Sequence, residues 1–341
     1  MGEENSAIPG KNAVLKKNAV QGKTALQAEL LHNRLLKRYR HLKKWAKRTG
    51  TNAFRLYDRD IPEIPLVLDL YDDAVSGALY KRPYEKDEAE EDAWLLAMKA
   101  SISKAIAIPT ENIFLKERQK QRHRQESGNQ YNKLGSRFFY RDVKEGNLSF
   151  RVNLSDYLDT GLFLDARKKR ALIQKEALGK RVLNLFAYTC SLSVAAAKGG
   201  AVQVDSVDLS NTYLEWGKAN FALNGLNENA FSFIRSDVIR YIEESAGKGF
   251  RWDIIILDPP SFSNSKKTND TLILKRDYKN LISRCLPLLA ANGTLLFSSN
   301  AKGIALSDED FSGFTVKDMG RELLDEDFIG KRTSVCYALL K

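Results

Sequence analysis

The sequence is poor in the residues that cross-link chains or bind metals. Its 341 residues include three cysteines and three histidines. Cys190, Cys285 and Cys336 are far apart and odd in number, which argues against a disulfide framework and fits a reducing compartment. His32, His41 and His123 form no cluster with them, so no metal site is expected. No apolar run approaches the ~18 residues of a membrane span, and the N-terminus lacks the apolar core of a secretory leader. The stretch Met1–Ser6 matches the loose myristoylation pattern, but that pattern is short and nothing else points to a membrane. A cytoplasmic protein is expected. Glycine is missing where a dinucleotide needs it. There is no Gly-x-Gly-x-x-Gly and no Gly-x-x-x-x-Gly-Lys-Ser/Thr, which argues against nicotinamide and flavin dinucleotides and against a P-loop.

Positive charge, by contrast, is abundant. Lys and Arg number 54 against 43 Asp and Glu, a net charge of +11, which points to an acidic partner such as nucleic acid. The first 150 residues carry +8 of it and the remainder +3. Between Arg34 and Arg48 stand eight cations and no acid: Arg34, Lys37, Arg38, Arg40, Lys43, Lys44, Lys47 and Arg48. A charge run is ordinarily a solvated face. Its single sign, with Tyr39 and Trp45 alongside, makes it a candidate phosphate-binding surface. A second basic stretch, Lys116 to Arg137, includes Arg118, Lys120, Arg122, Arg124 and Lys133 and reads as a loop.

Composition and periodicity divide the chain. Residues 1–23 read as a disordered basic tail. Residues 24–154 read as a small α+β domain: a helix from Thr24 to Arg48 with Leu26, Leu30, Leu35, Leu42 and Trp45 near helical spacing, short strands from Phe54 to Tyr80, and a helix from Glu88 to Ile106. A strand at Ile113–Leu115 and a hairpin around Glu145-Gly146-Asn147 complete it. A boundary near Ser155 is expected. Over residues 155–341, strand and helix alternate as in an α/β, doubly wound sheet. The most informative stretch is Trp252–Asn264, where Ile254 to Leu257 read as a strand buried on both faces that stops at Asp258-Pro259-Pro260. Ligands bind at the carboxyl edge of such sheets.

Two more strands end in acids, at Asp208 and Asp237. Asp208 lies about where a doubly wound fold places an acid on a ribose, and Ser236-Asp237 where an adenine would be met. Each could also be a helix N-cap. With glycines absent from the turn Asn184–Ser191, an adenosine ligand without phosphates fits best, and S-adenosylmethionine (SAM) is the common one.

Several long motifs resemble bacterial ribosomal RNA methyltransferases. They are Asp258-Pro-Pro-Ser-Phe-Ser-Asn, Asn184-Leu-Phe-Ala-Tyr-Thr, Val207–Trp216 and Asn153–Arg167, with Arg55–Asp58 and Asn129–Gly135 in support. The nearest group methylates guanine N7 of 23S rRNA and is usually the C-terminal half of a two-methyltransferase protein. The resemblance runs from about Asn33 to the C-terminus. It implies a class I SAM-dependent methyltransferase, a Rossmann-like seven-stranded doubly wound sheet, preceded by a small α+β RNA-binding domain. By motif, Phe163, Asp165 and Arg167 would surround the methionine end of the cofactor. Asn184, Phe186, Tyr188 and Thr189 would line the first turn, Asp208 and Leu209 would meet the ribose, Ser236, Asp237 and Val238 the adenine, and Asp258 would border the cofactor as well as the base. Cys190 stands where the family usually has glycine.

Guanine N7 carries a lone pair that can attack a sulfonium methyl without a general base, so catalysis would be largely positioning. Asp258, Pro259 and Pro260 would hold a flipped base and Phe262 would stack on it. Lys275 and Arg276 would meet phosphates or stay solvated. Cytosine-C5 methylation needs an attacking thiolate, and no cysteine stands at Phe297–Asn300 where relatives carry one. Exocyclic N2 methylation of guanine, a non-catalytic RNA-binding assembly factor and, more remotely, a dehydrogenase remain as alternatives.

Overall fold

The computed structural model describes residues 9–80, 87–118, 135, 137–263, 272–331 and 333–341. These fall into two compact units. One comprises the chain to residue 48 with 52–137 and 154–158; the other comprises 49–51, 138–153 and 159–341. The hairpin read as part of the first domain therefore belongs to the second.

In the first unit, helix α1 (Pro9–Thr49) starts well before the expected Thr24 and runs into the segment read as a tail. Its buried stripe also differs from expectation. Leu31, Leu35, Leu42 and Trp45 are buried, whereas Leu26 and Leu30 are 57% and 43% exposed. At about 100° per residue, Leu26 and Leu30 point roughly 140–180° away from Leu35, while Leu31 lies close to its face. Strands β1 (Ala53–Asp58), β2 (Leu66–Tyr71), β3 (Ala74–Tyr80) and β4 (Ile113–Arg118) form a sheet in that order. The first three are antiparallel, and β4 is parallel to β3 across helix α2 (Glu88–Ile106). Trp94, Met98 and Ile102 of α2 pack into one core with the α1 stripe and the sheet. The indole of Trp94 donates to Gln27 Oε1 at 2.6 Å.

The second unit opens with the hairpin β5 (Tyr140–Glu145) and β6 (Leu148–Asn153), then helix α3 (Arg167–Glu176). The alternation that follows matches the sequence reading closely: β7 (Arg181–Leu185), α4 (Ser191–Lys198), β8 (Gln203–Asp208), α5 (Asn211–Leu223), β9 (Ser232–Arg235), α6 (Val238–Gly247) and β10 (Trp252–Leu257). A short ribbon β11 (Phe262–Ser263) and β12 (Leu272–Ile273) precedes α7 (Leu274–Cys285), β13 (Leu289–Ser299), β14 (Thr315–Asp318) and β15 (Val335–Leu340). Helix α7 starts three residues before the expected Asp277, whose carboxylate accepts from the Ile273 N–H.

The seven-stranded sheet has the order β14-β15-β13-β10-β7-β8-β9, with β15 antiparallel to both neighbours. From β7 the chain first builds outward through β8 and β9, then returns to lay β10 on the other side. That reversal is the topological switch point at which open α/β sheets bind ligands. The register pairs Leu185 with both Val207 and Leu257, and Leu257 with Phe297. The residues that follow these strands therefore share one edge. Among the described residues, no helix is long and apolar enough to cross a membrane.

Candidate active site

The turn after β7 has an unusual backbone. Phe186, Tyr188 and Cys190 have φ of 58°, 51° and 58°, three left-handed residues alternating with ordinary ones and none of them glycine. Each such residue costs roughly 1–2 kcal/mol. The surroundings hold the turn in place. Ala187 N–H donates to Val207 O at 3.0 Å and Cys190 N–H to Ala187 O at 2.8 Å. Tyr188 N–H donates to Asp208 Oδ2 at 2.9 Å, and Thr189 Oγ1 to Gly161 O at 2.6 Å. Glycine-like geometry is thus reached with side chains in place, and Tyr188 packs between Phe163 and Tyr213 at ring distances of 5.3 and 4.5 Å.

Cys190 has a specific partner in this turn. It is fully buried, and a Cβ added at Gly217 would lie 2.4 Å from its Sγ. Gly217→Ala is therefore expected to destabilise by about 1–3 kcal/mol through overpacking. Cys190→Gly relieves the left-handed strain but loses a buried thiol, two effects of similar size, and should be near neutral. In the double variant most of the Gly217→Ala cost should disappear, a coupling of about 1–3 kcal/mol measurable by urea unfolding. Additive losses would show that the two residues do not restrict each other.

The strand-end acids take different roles. Asp208 is half-buried and accepts from Tyr188 N–H and, at 2.8 Å, from Ser210 N–H. Burial pushes its carboxyl above the ordinary aspartate range, against the opposing pull of the Ser210, Tyr188 and Leu209 N–H groups. A carboxylate has about four acceptor positions, and with three N–H groups turned to it about one remains for a ligand hydroxyl. Asp237 caps α6, accepting from Arg240 N–H at 3.1 Å, so the N-cap role applies to it. Val238, expected beside an adenine, is 3% exposed and belongs to the core, which leaves its backbone alone to face a ligand. Asn184 is 1% exposed; its amide donates to Ser193 Oγ at 2.8 Å while Oδ1 has no partner.

Asp258 lies between the cofactor-side strands and β13. Its Oδ2 accepts from Lys169 Nζ at 2.9 Å, and the same ammonium donates to Ser298 Oγ at 2.6 Å. Burial alone would lower the Lys169 pKa, but the Asp258 carboxylate together with Cys336 and Asp165 more than reverses this and holds it above the ordinary lysine value. Pro259 is buried, and Ser261 Oγ ties the loop to Asn300 Oδ1 at 2.6 Å. The Phe262 side chain lies outside the described residues, so its stacking role has no geometry here.

Lys169 was not anticipated, and neither was the burial of the cations around it. The run Arg167-Lys168-Lys169-Arg170 looks like a solvated helix start, yet Arg167, Lys169 and Arg170 are buried. Asp165 accepts from Thr333 Oγ1 at 2.6 Å. Arg167, expected near the cofactor's methionine end, donates to Asp325 and Asp327 at 2.9 Å each. Burial acts to lower its pKa, and Asp327 with Glu145 and Asp325 more than reverses that. Its guanidinium is thus a buried support for the segment around Asp325. Lys168 donates to Leu324 O at 2.7 Å, and Arg170 forks onto Glu145 at 2.7 and 2.6 Å. The available signal was Ile173, one helical turn after Lys169 and Arg170, which marks their face as the inward one.

All three cysteines are free and buried. Burial pushes the Cys190 thiol up to about 12 and Cys336 to about 11, and raises Cys285 as well. None offers the thiolate that cytosine-C5 chemistry needs.

On α1, Lys37, Lys44, Lys47 and Arg48 are exposed and share a face with Arg40. Arg34 is already paired with Asp60 at 2.8 Å and Arg38 donates weakly to Leu56 O at 3.5 Å, so both are corrected from free cations to partly engaged ones. Arg276 pairs with Asp277 at 2.6 Å, whereas Lys275 is exposed. The Arg118 side chain and Lys120, Arg122, Arg124 and Lys133 lie outside the described residues.

An acceptor position left on Asp208 suits a ligand that carries a ribose hydroxyl. The model of the S-adenosylmethionine-dependent methyltransferase family matches residues 64–329. The chain belongs to this family. It is 43% identical over 307 residues to a Neisseria meningitidis protein named ribosomal RNA large subunit methyltransferase K, covering 90% of this chain and 86% of that one. A Stutzerimonas stutzeri protein named ribosomal RNA large subunit methyltransferase K/L is 42% identical over 300 residues, of which this chain spans 40% of the length. Among solved structures, a methyltransferase complexed with SAH is 26% identical with a TM-score of 0.72, covering 92% of this chain and 82% of the other. The fold is thus that of a SAM-dependent methyltransferase, and SAM is its cofactor. Membership sets the dehydrogenase alternative aside.

Proposed function

We propose that this protein methylates N7 of a guanine in 23S rRNA. The observation that carries the reading is the Asp258-Pro259-Pro260 turn at the switch-point edge, on the same sheet edge as Asp208 and separated from that strand by β7 alone. The name of the Neisseria relative supports rRNA as the substrate. The choice of N7 rests on the motif resemblance. Asp208, with Leu209, would hold the ribose, and Ser236 and the free oxygen of Asp237 the adenine edge. Asn184, Phe186, Tyr188, Thr189, Phe163 and Asp165 would enclose the rest of the cofactor. Bound SAM supplies an electrophilic methyl on a sulfonium. Asp258 and the backbone at Pro259 would hold the flipped base, Pro260 would stiffen the turn, and Phe262 would stack. Positioning of this kind suffices for an N7 lone pair, which loses no proton. The exposed α1 cations and Lys275 would meet phosphates, so binding should weaken steeply with salt. Such a substrate places the protein in the cytoplasm.

The test is nucleoside mass spectrometry of 23S rRNA after incubation with the protein and labelled SAM. Label in 7-methylguanosine supports the whole reading. Label in N2-methylguanosine keeps the rRNA methyltransferase and discards N7. SAM bound with no label in any nucleoside would point to a binding role.

Asp208 adds a pH dependence. Its folded carboxyl keeps a proton more readily than the unfolded one, so its charge opposes folding at neutral pH. That opposition is relieved as pH falls through the raised value. The ribose needs the ionised acceptor, so SAM affinity moves the other way. It should weaken on acidification at a pH above the ordinary aspartate range. Calorimetric titrations from neutral to mildly acidic pH check this, and an affinity that stays flat until the protein unfolds would remove Asp208 from the site.

A further inference from the structure

Lys169 has no role in the chemistry described so far, yet its ammonium is placed at considerable cost. Its side chain is 8% exposed, and burying an ammonium costs several kcal/mol before any partner compensates. Were it there only to pack α3 on the sheet, an apolar side chain of similar length would serve at least as well. Its partners are the carboxylate that follows β10 and the hydroxyl of Ser298 in β13, so it bridges two neighbouring strand ends. The turn 186–190 and Asp208 lie on the opposite side of Asp258, towards β7 and β8. Asp258 is thus the strand-end acid that the Lys169 ammonium holds. It remains 31% exposed, with Oδ2 engaged.

We propose that Lys169 is a positioning residue for methyl transfer, fixing the Asp258 carboxylate so that Oδ1 is presented to the incoming base. This rests on the reading of Asp258 as the group that holds the base. An unpinned carboxylate rotates about its terminal torsion, a broad twofold one, and offers either oxygen in many orientations. With Oδ2 held by an ammonium that is itself anchored on Ser298, one orientation remains. Preorganisation of this sort is lost on a displacement of about 1 Å, which can cost about 10²-fold in rate.

The test uses the full chain, 23S rRNA and labelled SAM, with single-turnover transfer rates and SAM affinity measured separately. Lys169→Met should slow transfer by about tenfold to a hundredfold and leave SAM affinity unchanged. Asp258→Asn combined with Lys169→Met should be no slower than Asp258→Asn alone, because both act through one carboxylate. A structural lysine would lower thermal stability and SAM affinity together, and its loss would multiply with that of Asp258→Asn. Should Lys169→Met fail to fold, Ser298→Ala removes the anchor and leaves the ion pair, and should slow transfer several-fold at unchanged SAM affinity. Wild-type rates in Lys169→Met, or in Ser298→Ala where that variant stands in, overturn the proposal, as do multiplying losses. Wild-type transfer by Asp258→Asn overturns the role of Asp258, and this inference with it. A wild-type protein that labels no RNA overturns the function itself.

Discussion

Asparagine at position 258 is expected to slow methyl transfer by about 10²–10³-fold, the usual loss when a preorganised polar group at a reacting centre is replaced. The fold should survive. Asp258 is part-exposed, and an asparagine oxygen can still accept from Lys169 Nζ, so the buried ammonium is not left without an acceptor. SAM affinity should fall far less than the transfer rate, because Asp208 and the turn 186–190 are untouched. The change falls on what Asp258 offers the base: a carboxylate accepts only, whereas an amide presents a donor on one arm. Single-turnover labelling of rRNA alongside calorimetric SAM binding separates these effects. Retention of more than about a tenth of the wild-type rate would move the base-holding role elsewhere on the Pro-Pro turn.

The largest loss of stability is expected from Arg170→Met. The guanidinium is fully buried and makes a two-pronged pair with Glu145, and a third N–H reaches Phe163 O at 3.0 Å. Removing it strands a carboxylate that is itself 8% exposed. Breaking a buried pair by deleting one member costs about 3–5 kcal/mol. Arg167 Nε lies 3.8 Å from the same carboxylate and will offset part of this. Glu145→Gln in the Arg170→Met background should recover a good share, since the stranded charge disappears. Urea unfolding followed by circular dichroism gives both values. A loss under about 1 kcal/mol for the single variant would mean that water reaches Glu145.

Much of the fold could be read from the chain because it depends on local pattern. Helix α2 has the bounds expected from its amphipathic spacing and the proline beyond it. The apolar run Ile254–Leu257 is the buried parallel strand that it looked like, with β7 and β13 on either side. The strand-end acids were legible for the same reason. What escaped was set by contacts far apart in sequence. A basic run offers no sign that its members will meet Glu145, Asp258 and Asp327. The exposure of Leu26 and Leu30 follows from helical phase, which approximate spacing left open. The turn after β7 shows the limit in another form. Without glycines it gave no hint of left-handed backbone, yet Phe186, Tyr188 and Cys190 adopt it because Asp208, Val207 and Gly161 supply the partners that hold it there.

The cluster at the start of α3 bears on the order in which this protein can acquire its site. Arg170 meets Glu145 across 25 residues, but Lys169 reaches Asp258 across 89 and Ser298 across 129. Arg167 waits for Asp327 across 160, and Asp165 for Thr333 across 168. On the ribosome, Glu145 precedes α3, but Asp258, Ser298 and Asp327 emerge long after it, and Lys169 and Arg167 cannot be paired with them until they arrive. Closing loops of this length is slow compared with helix formation. Arg167 and Lys169 of the nascent α3 therefore stay solvated while their later partners are still being added. The edge of the sheet becomes a site when the strand preceded by Thr333 is laid down.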